Sequence, residues 1–170
     1  MQTKAIIVLA NSTKRSGRCL AGKEVSHSDA GWKIGGWVRP VGTKDGGEIP
    51  EYAMRFALGH DPELLEIVEI PFDSAAPLPD QPENWLIERL LKGNWKSLGK
   101  MQWQDLPKLE DKPLQLWTDP STTLRRVKAD FPRMMAKPAS LYLIKPSSVR
   151  QGFCCSIEGG SSEVCHLSVT

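Results

Sequence analysis

Residues 4–25 read KAIIVLANSTKRSGRCLAGKEV, and they set the class of the fold. The apolar, β-branched run at 4–10 predicts a buried strand. The polar and basic residues at 11–17 predict a loop, and the alternation of Cys19, Ala21 and Val25 predicts a second strand. The chain is therefore expected to open with a strand, a basic loop and another strand.

The rest of the chain is punctuated by 14 glycines and 13 prolines, which favours short strands and short helices. Strands are predicted at 35–41, at 64–70 with Glu66 facing outward and Pro71 ending the strand, and at 140–145, 152–157 and 163–169. Helical spacing predicts short helices at 49–58, 83–91 and 121–131, and residues 94–106 are interpreted as a helix followed by a strand. The predicted fold is mainly β, a β-rich α+β protein with a Pro- and Trp-rich middle.

The composition is that of an ordinary globular protein, with 170 residues, 40% hydrophobic residues and a net charge of +2. This excludes a disordered tail and allows one large domain or two small ones. The charge is unevenly spread, because residues 1–44 carry +6, residues 45–92 carry −8 and residues 93–170 carry +4. The basic N-terminal third predicts an anion-binding face, and the alternative is that opposite charges pair across the fold.

The apolar run at 5–10 is far shorter than the roughly 20 residues that a membrane span needs, and it lacks the features of a secretory signal. We therefore expect a cytoplasmic protein without membrane contact, and reduced cysteines.

The basic loop and the strand at 35–41 hold the residues most suited to binding an anion. Arginine, lysine and hydroxyl side chains are the groups that bind phosphate, and aromatic side chains beside a basic groove stack on bases. The loop lacks the glycine spacing of a P-loop. The alternatives are a merely solvated loop and tryptophans that belong to the core. The predicted binding residues are Asn11, Ser12, Lys14, Arg15, Arg18, Lys23, Trp37 and Arg39, with Trp37 as the stacking residue.

Metal binding and catalysis have weaker support. Adjacent residues of a strand face opposite sides, so Cys154 with Cys155, and Cys165 with His166, leave two ligands per face. Cys19 lies among basic residues, but no acid–base pair accompanies it. We therefore expect no cofactor, no metal and no catalytic residue.

Several motifs resemble the prokaryotic dual OB-containing domain family: VLANSTK at 8–14, GRCLAGKE at 17–24, GWVRPV at 36–41, GE at 47–48 and ENWL at 83–86. Residues 140–144 and 167–170 are similar to its second half. The resemblance implies two small OB-like barrels, a role in binding nucleic acid or a nucleotide-type ligand, and a setting in bacterial conflict or mobile elements. A further segment is expected after residue 170 to complete the second barrel. Either that barrel is incomplete and leaves an open sheet edge, or it is a shorter barrel.

These observations predict an OB-like barrel at residues 1–110 and a second, incomplete or shorter barrel at 111–170. The expected function is a non-catalytic recognition module that binds single-stranded nucleic acid or a nucleotide-type phosphate ligand. One alternative is a protein-interaction subunit that uses the acidic middle and the C-terminal sheet edge for a partner or for self-association. A nucleotide- or nucleic-acid-processing enzyme that uses Cys19, or Glu66 with Glu69, is the other alternative.

Overall fold

The structure is a computed structural model that describes residues 2–14, 17–29, 31–50, 54, 58–88, 95–113, 140–147, 149–154 and 164–169. These residues form mainly strands, with a 3-10 helix at Trp103–Leu109. The strands are β1 (Gln2–Lys14), β2 (Gly17–Ser28), β3 (Gly31–Val41), β4 (Ile49–Pro50), β5 (Glu66–Ala75), β6 (Asn84–Ile87), β7 (Lys96–Lys100), β8 (Val149–Cys154) and β9 (Val164–Val169).

Five of these strands close into a barrel. β2 pairs antiparallel with β1 and β3, β6 joins β3 in parallel, and β5 pairs antiparallel with both β6 and β1. The order around the barrel is therefore β1-β2-β3-β6-β5 and back to β1. A small five-stranded barrel is the architecture of the OB fold. The predicted β-rich class is confirmed, and an OB-like barrel lies in the N-terminal part of the chain.

The barrel interior is filled by alternate residues of the strands. Because successive side chains of a strand face opposite sides, Ile6 and Val8 of β1 point inward while Ile7 points outward. The inward residues meet Leu20 and Val38 from β2 and β3. The rest of this cluster is Ile49, Met54, Val68, Ile70, Phe72, Ile87 and Trp95.

A second apolar cluster lies on the outer face of the barrel. Ile7, Val25 and Ile67 are buried there because the 3-10 helix and the residues after it lie across them. Leu109 is fully buried in this cluster, and Leu106 and Leu143 pack against it. We call residues 101–113 together with 140–146 the covering layer. A hydrogen bond of 2.7 Å from the Asp111 N–H to the Leu143 carbonyl ties its two parts together.

The prediction that Glu66 faces outward is wrong. Glu66 is 5% exposed, because β7 pairs with β5 at this point and the loop before β5 folds over it. Pro71 does not end the strand, which continues to Ala75. Pro71 has no backbone N–H to donate, but its carbonyl still accepts a hydrogen bond from the Glu88 N–H. The strand therefore contains Pro71 without leaving that carbonyl unpaired.

Three further predictions of secondary structure are corrected. The predicted helix at 83–91 contains β6, because Asn84 to Leu86 pair with Arg39 to Val41. Within the predicted segment 94–106, of which residue 94 lies outside the described residues, a strand comes first and a helix second, the reverse of the predicted order. Residues 140–145 lie in the covering layer without belonging to a strand. The loop predicted at 11–17 is shorter in the structure, since β1 continues to Lys14 and β2 begins at Gly17.

Two strands lie near the C-terminus, where β8 and β9 form an antiparallel pair in a separate two-stranded sheet. β9 agrees with the strand predicted at 163–169, whereas β8 begins at Val149, before the predicted start at 152, and residues 155–157 lie outside the described residues. Most residues of the predicted second barrel, the predicted helix at 121–131 and most of that at 49–58 lie outside the described residues. The domain boundaries and the second barrel therefore stay predictions. Within the described ranges, no helix has the length and apolar character needed to cross a membrane.

Candidate functional site

The β1–β2 hairpin holds the first group of predicted binding residues. Asn11 is partly buried and donates from Nδ2 to the Pro62 carbonyl at 2.8 Å, whereas Ser12 is exposed. Lys14 lies opposite Gly17 at the end of the hairpin, where only its backbone is described, and Arg15 is outside the described residues. This hairpin therefore presents polar side chains at one end of the barrel.

Arg18 lies on β2 next to the turn of the same hairpin, opposite Thr13. Its guanidinium donates to Thr13 Oγ1 at 3.2 Å and lies 3.3 Å from Asp61 Oδ2. Asp61 belongs to the acidic middle of the sequence, so this ion pair joins the basic and acidic segments. Arg18 is accordingly held in place against the loop before β5.

Lys23 and Trp37 lie opposite each other on β2 and β3, on the outer face of the barrel. Asp111 of the covering layer binds both, accepting from Lys23 Nζ at 2.5 Å and from Trp37 Nε1 at 2.9 Å. Lys23 Nζ also donates to the Leu109 carbonyl at 2.7 Å, and the Leu143 N–H donates to Asp111 Oδ2 at 2.8 Å. Two of the predicted binding residues thus anchor the covering layer.

Burial of the Asp111 carboxylate by itself raises its pKa. The hydrogen bonds from Lys23, the Leu143 N–H and Trp37, together with the charge of Lys23, outweigh this effect and lower the pKa below its ordinary value. Asp111 is therefore held in its charged form, which the buried Lys23 ammonium requires.

Arg39, the remaining predicted cation on this face, is also paired. Its guanidinium lies 3.3 Å from Glu83 Oε1 and donates to Ser140 Oγ at 3.1 Å. Ser140 Oγ in turn donates to Glu83 Oε1. Arg39 thus joins β3 to the loop before β6 and to the covering layer.

The predicted residues do not form one cluster. Lys23, Trp37 and Arg39 share the outer face of β2 and β3 beneath the covering layer. Arg15 is outside the described residues, and four others lie on the β1–β2 hairpin: Asn11, Ser12, Lys14 and Arg18. The prediction that these residues bind a ligand stays a prediction, but the structure gives five of them partners within the chain: Asn11, Arg18, Lys23, Trp37 and Arg39.

The β2–β3 hairpin, at the end of β2 far from Arg18, carries exposed residues that the predicted set did not include. Trp32 is 48% exposed, and its ring contacts that of His27 edge to face, with centroids 5.1 Å apart. Lys33 is exposed on the next position of β3. His27 and Trp32 are opposite each other near the end of the β2–β3 pairing. A tryptophan close to a hairpin turn is the sequence feature that could have identified this exposed group.

Glu66 forms a second buried network that links β5 to β7. Its carboxylate accepts from Ser97 Oγ at 2.6 Å and from the Glu63 N–H at 2.9 Å, and it lies 2.9 Å from His60 Nε2. Burial alone raises the pKa of Glu66, but these hydrogen bonds and the attraction of His60 lower it overall. The serine hydroxyl and the histidine ring contact the same carboxylate oxygen, so Glu66 joins β7 to the loop before β5.

The described residues contain no group of three side chains able to hold a metal ion. Cys19 is a partly buried free thiol on β2. The side chains of Cys154, Cys165 and His166 lie outside what the structure describes, and so does Cys155.

Comparison with known proteins identifies one family. The model of the dual OB-containing domain matches residues 4–153, which include the barrel, the covering layer and most of β8. Comparisons with curated proteins and with solved structures give no match. On the extent of the family match, the chain belongs to the dual OB-containing domain family.

Proposed function

We propose that this chain is a non-catalytic binding module and that its ligand is single-stranded nucleic acid. The observation that carries the proposal is the exposed Trp32, paired with His27 and followed by Lys33, on the β2–β3 hairpin of an OB barrel. OB folds use the face of these two strands to bind oligonucleotides. An accessible aromatic ring beside a cation is the arrangement on which unpaired bases stack.

Trp32 replaces Trp37 as the stacking residue of the proposal. The Trp37 indole is partly buried and donates its N–H to Asp111, so it offers less ring surface. Trp32 is nearly half exposed and does not depend on the covering layer. Stacking of one base on such a ring contributes about 1–3 kcal/mol.

The phosphates would be bound by cations that have no carboxylate partner among the described residues. Lys33 lies beside Trp32, and Lys44 lies in the loop after β3. The strand that follows this loop, β4, pairs with the start of β2, where Gly17 lies opposite Pro50. We propose that Lys14 and Arg15 of the sequence-predicted basic loop also bind phosphates; the side chain of Lys14 and all of Arg15 lie outside the described residues.

The two groups of cations lie at opposite ends of β2. From Arg18 to His27 the strand spans roughly 30 Å at about 3.3 Å per residue. OB folds cover about 4–16 nucleotides each, so a strand of ordinary site size reaches both ends. A setting in bacterial conflict, which the family resemblance implies, and a cytoplasmic location stay predictions.

The test is the change in fluorescence anisotropy of a labelled 15-nucleotide oligothymidylate titrated with the protein. Trp32→Ala is expected to weaken binding by about tenfold, and Trp32→Phe to restore most of it. Leu98→Ala is the matched control, because Leu98 is a similarly exposed apolar residue on β7, away from this hairpin. Equal affinities of the parent and Trp32→Ala, or no binding of any oligonucleotide, would contradict the proposal.

A further inference from the structure

The covering layer contains a pocket on its own surface. Its volume is about 380 Å³, and it lies between the 3-10 helix and residues 143–146. The lining residues are Trp103, Leu106, Pro107, Glu110, Leu143, Ile144, Lys145 and Pro146. A mainly apolar cavity of this size with a few polar groups is typical of a small-molecule site.

Trp103 contributes an open aromatic wall to this pocket. It is 65% exposed, which is the largest exposure of any large hydrophobic residue that the structure describes. Leu109, only two helical turns further on, is fully buried, so the helix itself is firmly docked on the barrel. A rigidly placed, exposed indole is suited to stacking on a flat ring.

Two charged residues of the lining have no side-chain partner in the part of the chain that is described. Glu110 makes only the backbone hydrogen bond from its N–H to the Pro107 carbonyl, and Lys145 is exposed. Their neighbours differ, because Asp111 pairs with Lys23 and Asp105 pairs with Lys108. The pocket thus combines the Glu110 carboxylate and the Lys145 ammonium, neither with a side-chain partner among the described residues, and the exposed ring of Trp103.

We infer that this pocket binds a nucleoside monophosphate group whose base carries an exocyclic amino group. The base stacks on Trp103, the amino group donates to the Glu110 carboxylate, and the phosphate pairs with Lys145. Adenine, cytosine and guanine have such an amino donor, whereas uracil and thymine present a carbonyl acceptor at the corresponding position. The group is either a free mononucleotide or one nucleotide of a bound strand, and in the second case the inference rests on the function proposed above.

Isothermal titration calorimetry with AMP, UMP and adenosine tests the inference on the full chain. AMP is expected to bind about tenfold more tightly than UMP, and Glu110→Gln is expected to reduce this difference. Trp103→Leu is expected to weaken AMP binding by about tenfold. Lys145→Ala should weaken the binding of AMP but leave the binding of adenosine unchanged. Lys112 is an exposed lysine of the covering layer outside the pocket lining, so Lys112→Ala should change the affinity for neither compound.

A competition experiment separates the two sources of the ligand. Displacement of a labelled oligoadenylate by AMP supports a nucleotide of a bound strand, and AMP binding without displacement supports a free mononucleotide. Absence of AMP binding, or AMP affinity unchanged in Trp103→Leu, overturns the inference. In that case oligonucleotide binding that still depends on Trp32 leaves the proposed function standing.

Discussion

Lys23 and Trp37 owe their positions to Asp111, which lies 88 and 74 residues further along the chain. Burying any one of these three polar side chains without a hydrogen-bond partner would cost free energy. Asp111 accepts hydrogen bonds from the other two, so each has a partner. Lys23 has only 7% of its side chain exposed, so its ammonium depends on that carboxylate. Asp111 therefore joins the outer face of the barrel to the covering layer, in addition to the apolar contacts and the hydrogen bonds of Lys23 to Leu109 and of Arg39 to Ser140.

Removing the charge of Asp111 is expected to destabilise the fold. Asp111→Asn should lower the free energy of unfolding by about 2 kcal/mol, less than the 3–5 kcal/mol of a fully buried pair, because the Asp111 side chain is 23% exposed. Urea unfolding measures the loss. Glu110→Gln is the matched control, and its effect should stay within about 0.5 kcal/mol. Equal losses in the two variants would show that the Lys23 pair contributes nothing.

Acidification should remove the contributions of Asp111 and Glu66. Both have a pKa below the ordinary value in the folded chain, so the unfolded chain binds more protons in the acid range. Their stabilisation is present above the ordinary values of 3.8 and 4.5 and is lost as the pH falls through the lowered pKa values. Urea unfolding between pH 7 and pH 3 should show this decline.

Glu66→Gln and Ser97→Ala are the variants that check this assignment. Both should make the acid decline shallower, because each removes part of the difference in proton binding between folded and unfolded chains. Unchanged pH dependence in both variants would contradict the role given to Glu66.

At the scale of elements, the pairing of β1 with β2 requires a glycine at position 22. A Cβ at Gly22 would lie 2.1 Å from the Ile7 carbonyl oxygen, beside the bulge of β1 between Val8 and Ala10. The two strands approach closely here as the sheet bends to close the barrel. Backbone cannot move aside as a flexible side chain can.

Gly22→Ala should therefore destabilise the barrel by about 3 kcal/mol or more. Gly36→Ala on β3 is the matched control, since a Cβ there has no atom within 4 Å, and its effect should be small. Thermal unfolding followed by circular dichroism compares the two. A Gly22→Ala variant as stable as Gly36→Ala would contradict the close approach of β1 and β2.

The sequence predicted the strands whose residues alternate or are wholly apolar, such as β1, β2 and the first part of β5. It mispredicted β6, because Asn84 to Ile87 become a strand through their pairing with β3 and β5, which lie far away in the sequence or across a proline-rich loop. It also mispredicted the burial of Glu66, which follows from the distant Ser97 and the local loop at His60. Local pattern cannot reveal a partner that the fold brings from far along the chain.

The same limit applies to the candidate site. The basic character of the N-terminal third was readable from the sequence, but its pairing was not. Arg18 and Arg39 pair with the acidic middle through Asp61 and Glu83, while Lys23 pairs with Asp111. The open alternative of opposite charges pairing across the fold is thus realised for these cations.

For the whole molecule, the cations left for a ligand are fewer than the net charge of the N-terminal third implies. Lys33 and Lys44 make no ion pair among the described residues. Lys14 and Arg15 belong to the basic loop predicted at residues 11–17 and bring the proposed set to four cations. For single strands, log K falls with log salt at a slope of about −0.7 per phosphate neutralised. Four contacts would give a slope of about −3.

The most direct test of the central claim, that this OB barrel binds single-stranded nucleic acid through a small set of cations, is the salt dependence of oligothymidylate affinity. The parent should show a slope of about −3, and Lys14→Ala with Arg15→Ala should reduce its magnitude by about 1.4. Lys96→Ala with Lys100→Ala removes the same charge from cations that pair with Glu69 and Glu63, and it should leave the slope unchanged. An affinity independent of salt, or equal changes in the two double variants, would contradict the account.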